Sequence, residues 1–180
     1  SLPTTLTVDI PQVLQSPDEI LTTSGDLIFC EGESMTLNTT GFPGVATYIW
    51  STPTGVFSTS TESLELNDLT TFEEGQYTVQ YQVGDCLSPV SGILELEVNE
   101  IPLIAPSNNS PICEGAIIEM SVACDNGAEY EWTGPNSFNP TVCNPNILNA
   151  NPDLHAGEYT VRKMVDGCWS EVMEFSIDIK

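Results

Sequence analysis

Six cysteines, one histidine and 26 Asp and Glu residues are the side chains of this 180-residue chain that could do chemistry. The cysteines are Cys30, Cys86, Cys113, Cys124, Cys143 and Cys168, and no two have the Cys-x-x-Cys spacing of a zinc knuckle or a thioredoxin-type dithiol. None stands beside a basic residue that would hold it as a reactive thiolate. An even count in small repeated units reads instead as disulfides, which places the chain in an oxidising compartment, extracellular or on a cell surface. His155, the sole histidine, lies in the turn-like run from Asn151 to Gly157, and no nucleophile-elbow text occurs anywhere, so neither a Ser-His-Asp nor a Cys-His site is supported. Carboxylate pairs of the glycosidase kind arise so easily among 26 acids that they carry no specificity. HExxH, GxGxxG and P-loop patterns are missing, and the chain reads as a non-enzyme.

The charge balance narrows the partners. Arg162, Lys163 and Lys180 are the only Lys and Arg residues, the formal net charge is −23, and no cation precedes position 162. Nucleic acid needs a basic footprint that is missing here, and an anionic membrane surface is disfavoured for the same reason. No apolar run reaches the roughly 18 residues of a spanning helix, so direct membrane insertion is not expected. Calcium is the one cofactor the acids suggest. Asp68, Glu73 and Glu74 cluster ahead of a strand, and Asn99 and Glu100 lie at a junction where oxygen ligands could stiffen an array. EF-hand text is absent, and a solvated acidic face is the default reading.

The elements that must position these residues come as a duplication. Gly75-Gln76-Tyr77-Thr78-Val79 returns as Gly157-Glu158-Tyr159-Thr160-Val161, an offset of 82 that also carries Trp50 onto Trp132 and Cys86 onto Cys168. Cys30-Glu31-Gly32 returns as Cys113-Glu114-Gly115 with an offset of 83. Two domains follow, residues 1–100 and 101–180. Residues 1–18 are either the end of a preceding repeat, because Leu6 to Pro11 echoes Leu96 to Pro102, or an extra first strand. Beginning at Ser1, the chain is expected to be a fragment or processed form of something longer.

Apolar residues alternate along the predicted strands, with Met35 and Leu37, Tyr48 and Trp50, Leu64 and Leu66, Tyr77 to Val83, and Leu94 to Val98 in the first repeat. Ile118 to Val122, Tyr130 and Trp132, Tyr159 to Val165, and Met173 to Ile179 repeat the scheme. Gly41-Phe42-Pro43-Gly44 and Gly84-Asp85 read as turns, and Ser51 to Thr61 as loop or edge. Trp50 and Trp132 alternate inward, as core residues rather than a sugar-stacking platform. Lys163 stands where Tyr81 stood, which predicts a solvent-open edge with the Lys stem lying over apolar surface. No helix is expected. The fold class is all-β, two tandem antiparallel β-sandwiches.

Glu31 to Leu37, Trp50 and Glu74-Gly75-Gln76-Tyr77 resemble the B strand, C-strand Trp and tyrosine corner of immunoglobulin-like domains. The recurring Cys-Glu-Gly, Tyr-x-Trp, Gly-x-Tyr-Thr-Val and Gly-Cys or Asp-Cys text is similar to tandem Ig-like and PKD-like repeats of large Bacteroidota surface proteins, including gliding-motility adhesins and other type IX secretion cargo. The resemblance implies a cell-surface array whose partners are other repeats of a longer protein and an extracellular glycan or protein. An accessory carbohydrate-binding module of a secreted enzyme is the alternative. The antibody-type bridge is missing, with Asn38 read at the B-strand cysteine position and Val79 and Val161 at that of strand F. Symmetry between repeats pairs Cys30 with Cys86 and Cys113 with Cys168, leaving Cys124 for Cys143. In strict immunoglobulin topology the segment before strand B and the F–G turn lie at opposite ends, so either that segment folds back or the pairing differs.

Overall fold

The computed structural model describes residues 14–17, 19–22, 25, 27–42 and 47–180. The readings of Leu6 to Pro11, Pro43 and Gly44 lie outside them. The chain divides into two units, Ser1–Val98 and Asn99–Lys180. The first contains β1 (Leu21–Thr22), β2 (Ile28–Cys30), β3 (Met35–Asn38), β4 (Thr47–Thr52), β5 (Gly55–Thr59), β6 (Ser63–Leu66), β7 (Gly75–Val83), β8 (Cys86–Leu87) and β9 (Leu94–Asn99). One sheet runs β1-β3-β6 and the other β2-β9-β7-β4-β5, with β8 on β7. In the second, β10 (Ser107–Asn108), β11 (Ile118–Ser121) and β13 (Asn146–Ile147) form one sheet. β12 (Glu129–Thr133), β14 (Gly157–Val165), β15 (Cys168–Trp169) and β16 (Met173–Ile177) form the other.

Strand alternation decides what is inside. Tyr77, Val79 and Tyr81 of β7 are buried while Gln76 faces out, and Tyr159, Val161 and Lys163 of β14 repeat the pattern. Trp50 lies opposite Val79, and Trp132 opposite Val161, both Trp side chains being fully buried. Their indole N–H groups are satisfied, by Thr59 Oγ1 and by the Val142 carbonyl, each at 3.0 Å. The Val residues stand at the F-strand cysteine position, as the sequence implied. The B-strand reading needs correcting. Met35 and Leu37 point into the core, and Asn38 is half-buried, accepting a 2.9 Å hydrogen bond from Ser63 Oγ.

Each long central strand starts with the same device. The Tyr77 hydroxyl donates to the Glu73 carbonyl at 2.6 Å, and that of Tyr159 to the His155 carbonyl at 2.9 Å, locking the corner before the strand. The glycine two residues ahead of each tyrosine has φ of +133° or +143°, and a Cβ there would meet the Cγ of Pro53 or Pro135 at 3.0 or 3.1 Å. Both demands exclude a side chain, which explains the Gly-x-Tyr text. One-turn helices, Thr71–Glu73 and Pro152–His155, occupy these corners, a detail of capping that strand periodicity did not foresee. Gly84-Asp85 and Asp166-Gly167 make the two-residue hairpin turns, with positive φ at Gly84, Asp166 and Gly167.

In each unit the loop that precedes the Trp strand is held by side chains of that unit's own sheet. In the first, Tyr48 Oη accepts from the Phe42 amide and Tyr81 Oη donates to the Thr40 carbonyl. In the second, Tyr130 Oη accepts from the Asp125 amide, and Lys163 Nζ pairs with the Asp125 carboxylate. Lys163 is therefore 7% exposed rather than open to solvent. Its ammonium reaches, within unit 2, the loop equivalent to the one that the Tyr81 hydroxyl reaches in unit 1, so the four-carbon stem replaces the ring as core filler.

Candidate functional site

The residues that could do chemistry are not brought together. Cys86 and Cys113 carry free, exposed thiols, so the symmetric pairing of Cys30 with Cys86 and Cys113 with Cys168 does not form. The reason is topological. The Gly32 amide donates to the Leu69 carbonyl, which places Cys30 beside the corner where β7 begins, whereas Cys86 follows the turn where β7 ends. Nine residues of strand separate these points, about 25 Å. The Gly115 amide donates to the Ala150 carbonyl and sets Cys113 in the same relation to Cys168 across β14. Cys124 and Cys143 are joined, with Cα atoms 5.8 Å apart, and tie the end of β11 to the approach to β13.

His155 serves the corner. Its Nδ1 accepts from the Asn151 amide at 3.1 Å and its carbonyl accepts from Tyr159. Of the acidic candidates, Asp68 and Glu74 are exposed, and the Glu73 carboxylate is engaged by the Thr70 amide at 2.9 Å and hydroxyl at 2.7 Å. The Thr70 hydroxyl holds the Glu73 carboxyl below its usual range. Burial, reinforced by the Glu73 charge, pushes the Tyr77 phenol up to about 12. Asn99 donates its side-chain amide to the Asp166 carbonyl at 3.1 Å, and Glu100 is exposed. Among the described residues no group of three or more His, Cys, Asp and Glu side chains is arranged to hold a metal ion. A cation at the Asp68 to Glu74 corner would have to displace Thr70 from Glu73.

What the two units do present is an outward face on the sheet built around β7 or β14, and here the repeats differ. On unit 2, Glu131 lies opposite Arg162 and ion-pairs with it, and the guanidinium carbon sits 4.2 Å from the centroid of the Trp169 ring. Glu129 lies opposite Met164, and Thr133 and Thr160 share a 2.7 Å hydrogen bond. On unit 1 the positions of Glu129, Glu131 and Arg162 hold Thr47, Ile49 and Gln80. That face is charge-free at its centre. The Arg162–Trp169 contact was missed, because it depends on the hairpin register that sets Trp169 opposite Met164.

No family model and no curated protein matches the chain. Solved structures do. A chain of the crystal structure of a mouse coronavirus receptor-binding domain complexed with its murine receptor matches with a TM-score of 0.51 at 13% identity, over 90% of this chain and 100% of that one. Three N-terminal domains of the highly immunogenic outer capsid protein of bacteriophage RB49 match with a TM-score of 0.43 at 19% identity, over 92% of this chain. The chain spans 59% of that phage protein structure. The human OSCAR ligand-binding domain matches with a TM-score of 0.41 at 16% identity, over 92% of this chain and 100% of that one. The fold is that of immunoglobulin-like β-sandwich domains. No helix among the described residues is long and apolar enough to cross a membrane.

Proposed function

We propose that the chain is a pair of non-catalytic binding and spacer modules of an extracellular or cell-surface protein, acting in adhesion. The observation that carries this reading is the divergence of the two outward sheet faces over an interior whose central Trp, Val and corner Tyr recur. Trp, Val and corner Tyr recur at equivalent positions, while Ile49 and Gln80 become Glu131 and Arg162. A duplication that keeps the centre of its core and changes its exposed face has altered what it contacts more than how it folds. The sequence resemblance to surface adhesins supports the same assignment and extends it to an array of repeats. The buried Trp50 and Trp132 offer no sugar-stacking platform, which removes the main support for a carbohydrate-binding accessory module.

The test is in two parts. Proteolysis and alkylation of intact producing cells should find the chain accessible and its Cys124–Cys143 bridge oxidised. Immobilised protein should then capture an extracellular protein or glycan, and Arg162→Glu should weaken that capture about tenfold with little change in melting temperature. A cytosolic chain with all its thiols reduced, or turnover on glycoside and peptide panels, overturns the reading.

A further inference from the structure

We propose that Cys86 and Cys113 are half-cystines of an array, each joined in the longer protein to a cysteine of a neighbouring module, so that successive modules are stapled end to end. The proposal rests on the reading of the chain as part of a surface array. It starts from an inequality between equivalent positions. Each unit has one cysteine ahead of the strand that opens with Met35 or Ile118, namely Cys30 or Cys113, and one just after its hairpin turn, Cys86 or Cys168. Cys30 and Cys168 are disulfide-bonded, whereas Cys86 and Cys113 are free and exposed. Both kinds of position are therefore used for a bridge, and in each unit one of the two stands open.

Which one stands open follows the path of the chain. β9 runs antiparallel to β7, with Leu96 opposite Gly75, so the chain leaves unit 1 at the end where β7 begins. Cys30 is at that end, and Cys86, a nine-residue strand away, is at the other. In unit 2 the Asn99 side chain, at the start of the unit, donates to the Asp166 carbonyl, and Cys168 Sγ lies 3.9 Å from the Asn99 carbonyl oxygen. Cys168 thus marks the end by which the chain enters. Cys113 marks the end by which it leaves, since the Lys180 amide donates to the Ile112 carbonyl and the Glu114 amide to the Lys180 carbonyl, both at 2.9 Å. The open thiols are therefore the entry cysteine of unit 1 and the exit cysteine of unit 2, where a preceding and a following module would attach. Cys113 then pairs with the cysteine after the hairpin turn of the module that follows, and Cys86 with the cysteine before the corresponding strand of the module that precedes. Two thiols and the disulfide of an oxidant of the compartment give one new disulfide and the oxidant's dithiol, so both protons and both electrons pass to the oxidant. An exposed thiol left over in such a compartment is otherwise a target for oxidation.

Differential alkylation of the full-length protein tests it. Producing cells are lysed in denaturant with one alkylating reagent present, the protein is reduced and treated with a second reagent of different mass, and its peptides are mapped. The expected result is that Cys86 and Cys113 carry the second label only, and that unreduced digests hold each in a peptide linked to a neighbouring module. Cys113→Ser in the full-length protein should then release a single new thiol, the cysteine after the hairpin turn of the module that follows, with Cys86 still bridged. Cys86 or Cys113 carrying the first label, a bond between Cys86 and Cys113 themselves, or a Cys113→Ser protein with no new thiol overturns the proposal. The fate of Cys124 and Cys143 in the same map separates the two readings. If they too carry the first label, the oxidising compartment fails together with the staple; if they stay bridged while Cys86 and Cys113 are labelled, the staple alone falls.

Discussion

The buried ion pair of unit 2 makes a sharp prediction, because the equivalent site in unit 1 shows how the fold manages without it. The Lys163 side chain is 9% exposed and that of Asp125 is 46% exposed. Removing one partner of a fully buried pair costs about 3–5 kcal/mol, because the remaining charge is stranded. An exposed pair contributes about 0–1 kcal/mol. Asp125→Ala strands the ammonium beside a half-open loop where water can reach it, so the expected cost lies between, about 2 kcal/mol. For a unit of this size that lowers the melting temperature by about 8–16 °C. Lys163→Met is a different perturbation. It leaves Asp125 in contact with solvent and fills the site with an apolar stem beside Tyr130, so it should fall within about 1 kcal/mol of wild type. The double variant should then behave like Lys163→Met, giving a coupling of about 2 kcal/mol. Calorimetry and urea titration of all four proteins provide the cycle. An Asp125→Ala protein within about 0.5 kcal/mol of wild type, or a Lys163→Met protein as unstable as Asp125→Ala, refutes the reasoning.

Other consequences are simpler to state. Tyr77→Phe leaves the Glu73 carbonyl without its 2.6 Å donor and should cost about 1–2 kcal/mol, read from the urea midpoint. Unit 1 should lose stability at both pH extremes. The Glu73 carboxyl sits below its unfolded value, so its contribution is present above the usual carboxylate range and lost as pH falls through the lowered folded value; Tyr77, raised to about 12, contributes fully below about 10 and loses that contribution as pH rises toward 12. Thr70→Val removes the largest cause and should shrink the acid-side component in a pH series of melts, the Thr70 amide still holding Glu73. Cys124→Ser with Cys143→Ser opens a bridge of sequence separation 19, which the chain-entropy model values at about 3 kcal/mol, visible as a lower melting temperature without reductant. Raising salt from about 10 to 150 mM should raise the melting temperature of unit 1, which has no cation of its own. Calcium acting beyond matched ionic strength would point to a specific site, and a flat salt response would count against self-repulsion.

Much of the architecture was legible in the sequence because it is written in periodicity. Alternation along Gly75 to Val83 and Gly157 to Val165 identified the inward Tyr and Val, and the Gly-x-Tyr text marked the corners that the two tyrosine hydroxyls lock. The errors came where period two leaves a choice. Asn38 and Leu37 are adjacent; alternation had already put Leu37 inward, and the cysteine position was read one residue too far, on the half-buried Asn38. Lys163 was read as an exposed side chain because its type is polar, yet its place in the alternation was an inward one. Of the three cysteine pairings, Cys124 with Cys143 held and the two symmetric ones failed for another reason. Symmetry between repeats speaks of equivalence, not distance, and a nine-residue strand stands between the residues it paired. The outward faces could be located from alternation, but their contrast in charge gains meaning only from the register that sets Glu131 beside Arg162 and Ile49 beside Gln80.

The two free thiols have a practical consequence. Cys86 lies in unit 1 and Cys113 in unit 2, both at the surface, while Cys124 and Cys143 are tied to each other. Maleimide dyes of two colours can therefore be attached at Cys86 and Cys113 without any cysteine having to be introduced. Energy transfer between the dyes, followed one molecule at a time, would report the separation of the two modules and its fluctuation under tension. The chain supplies by its own sequence both attachment points of an optical strain gauge between its two units.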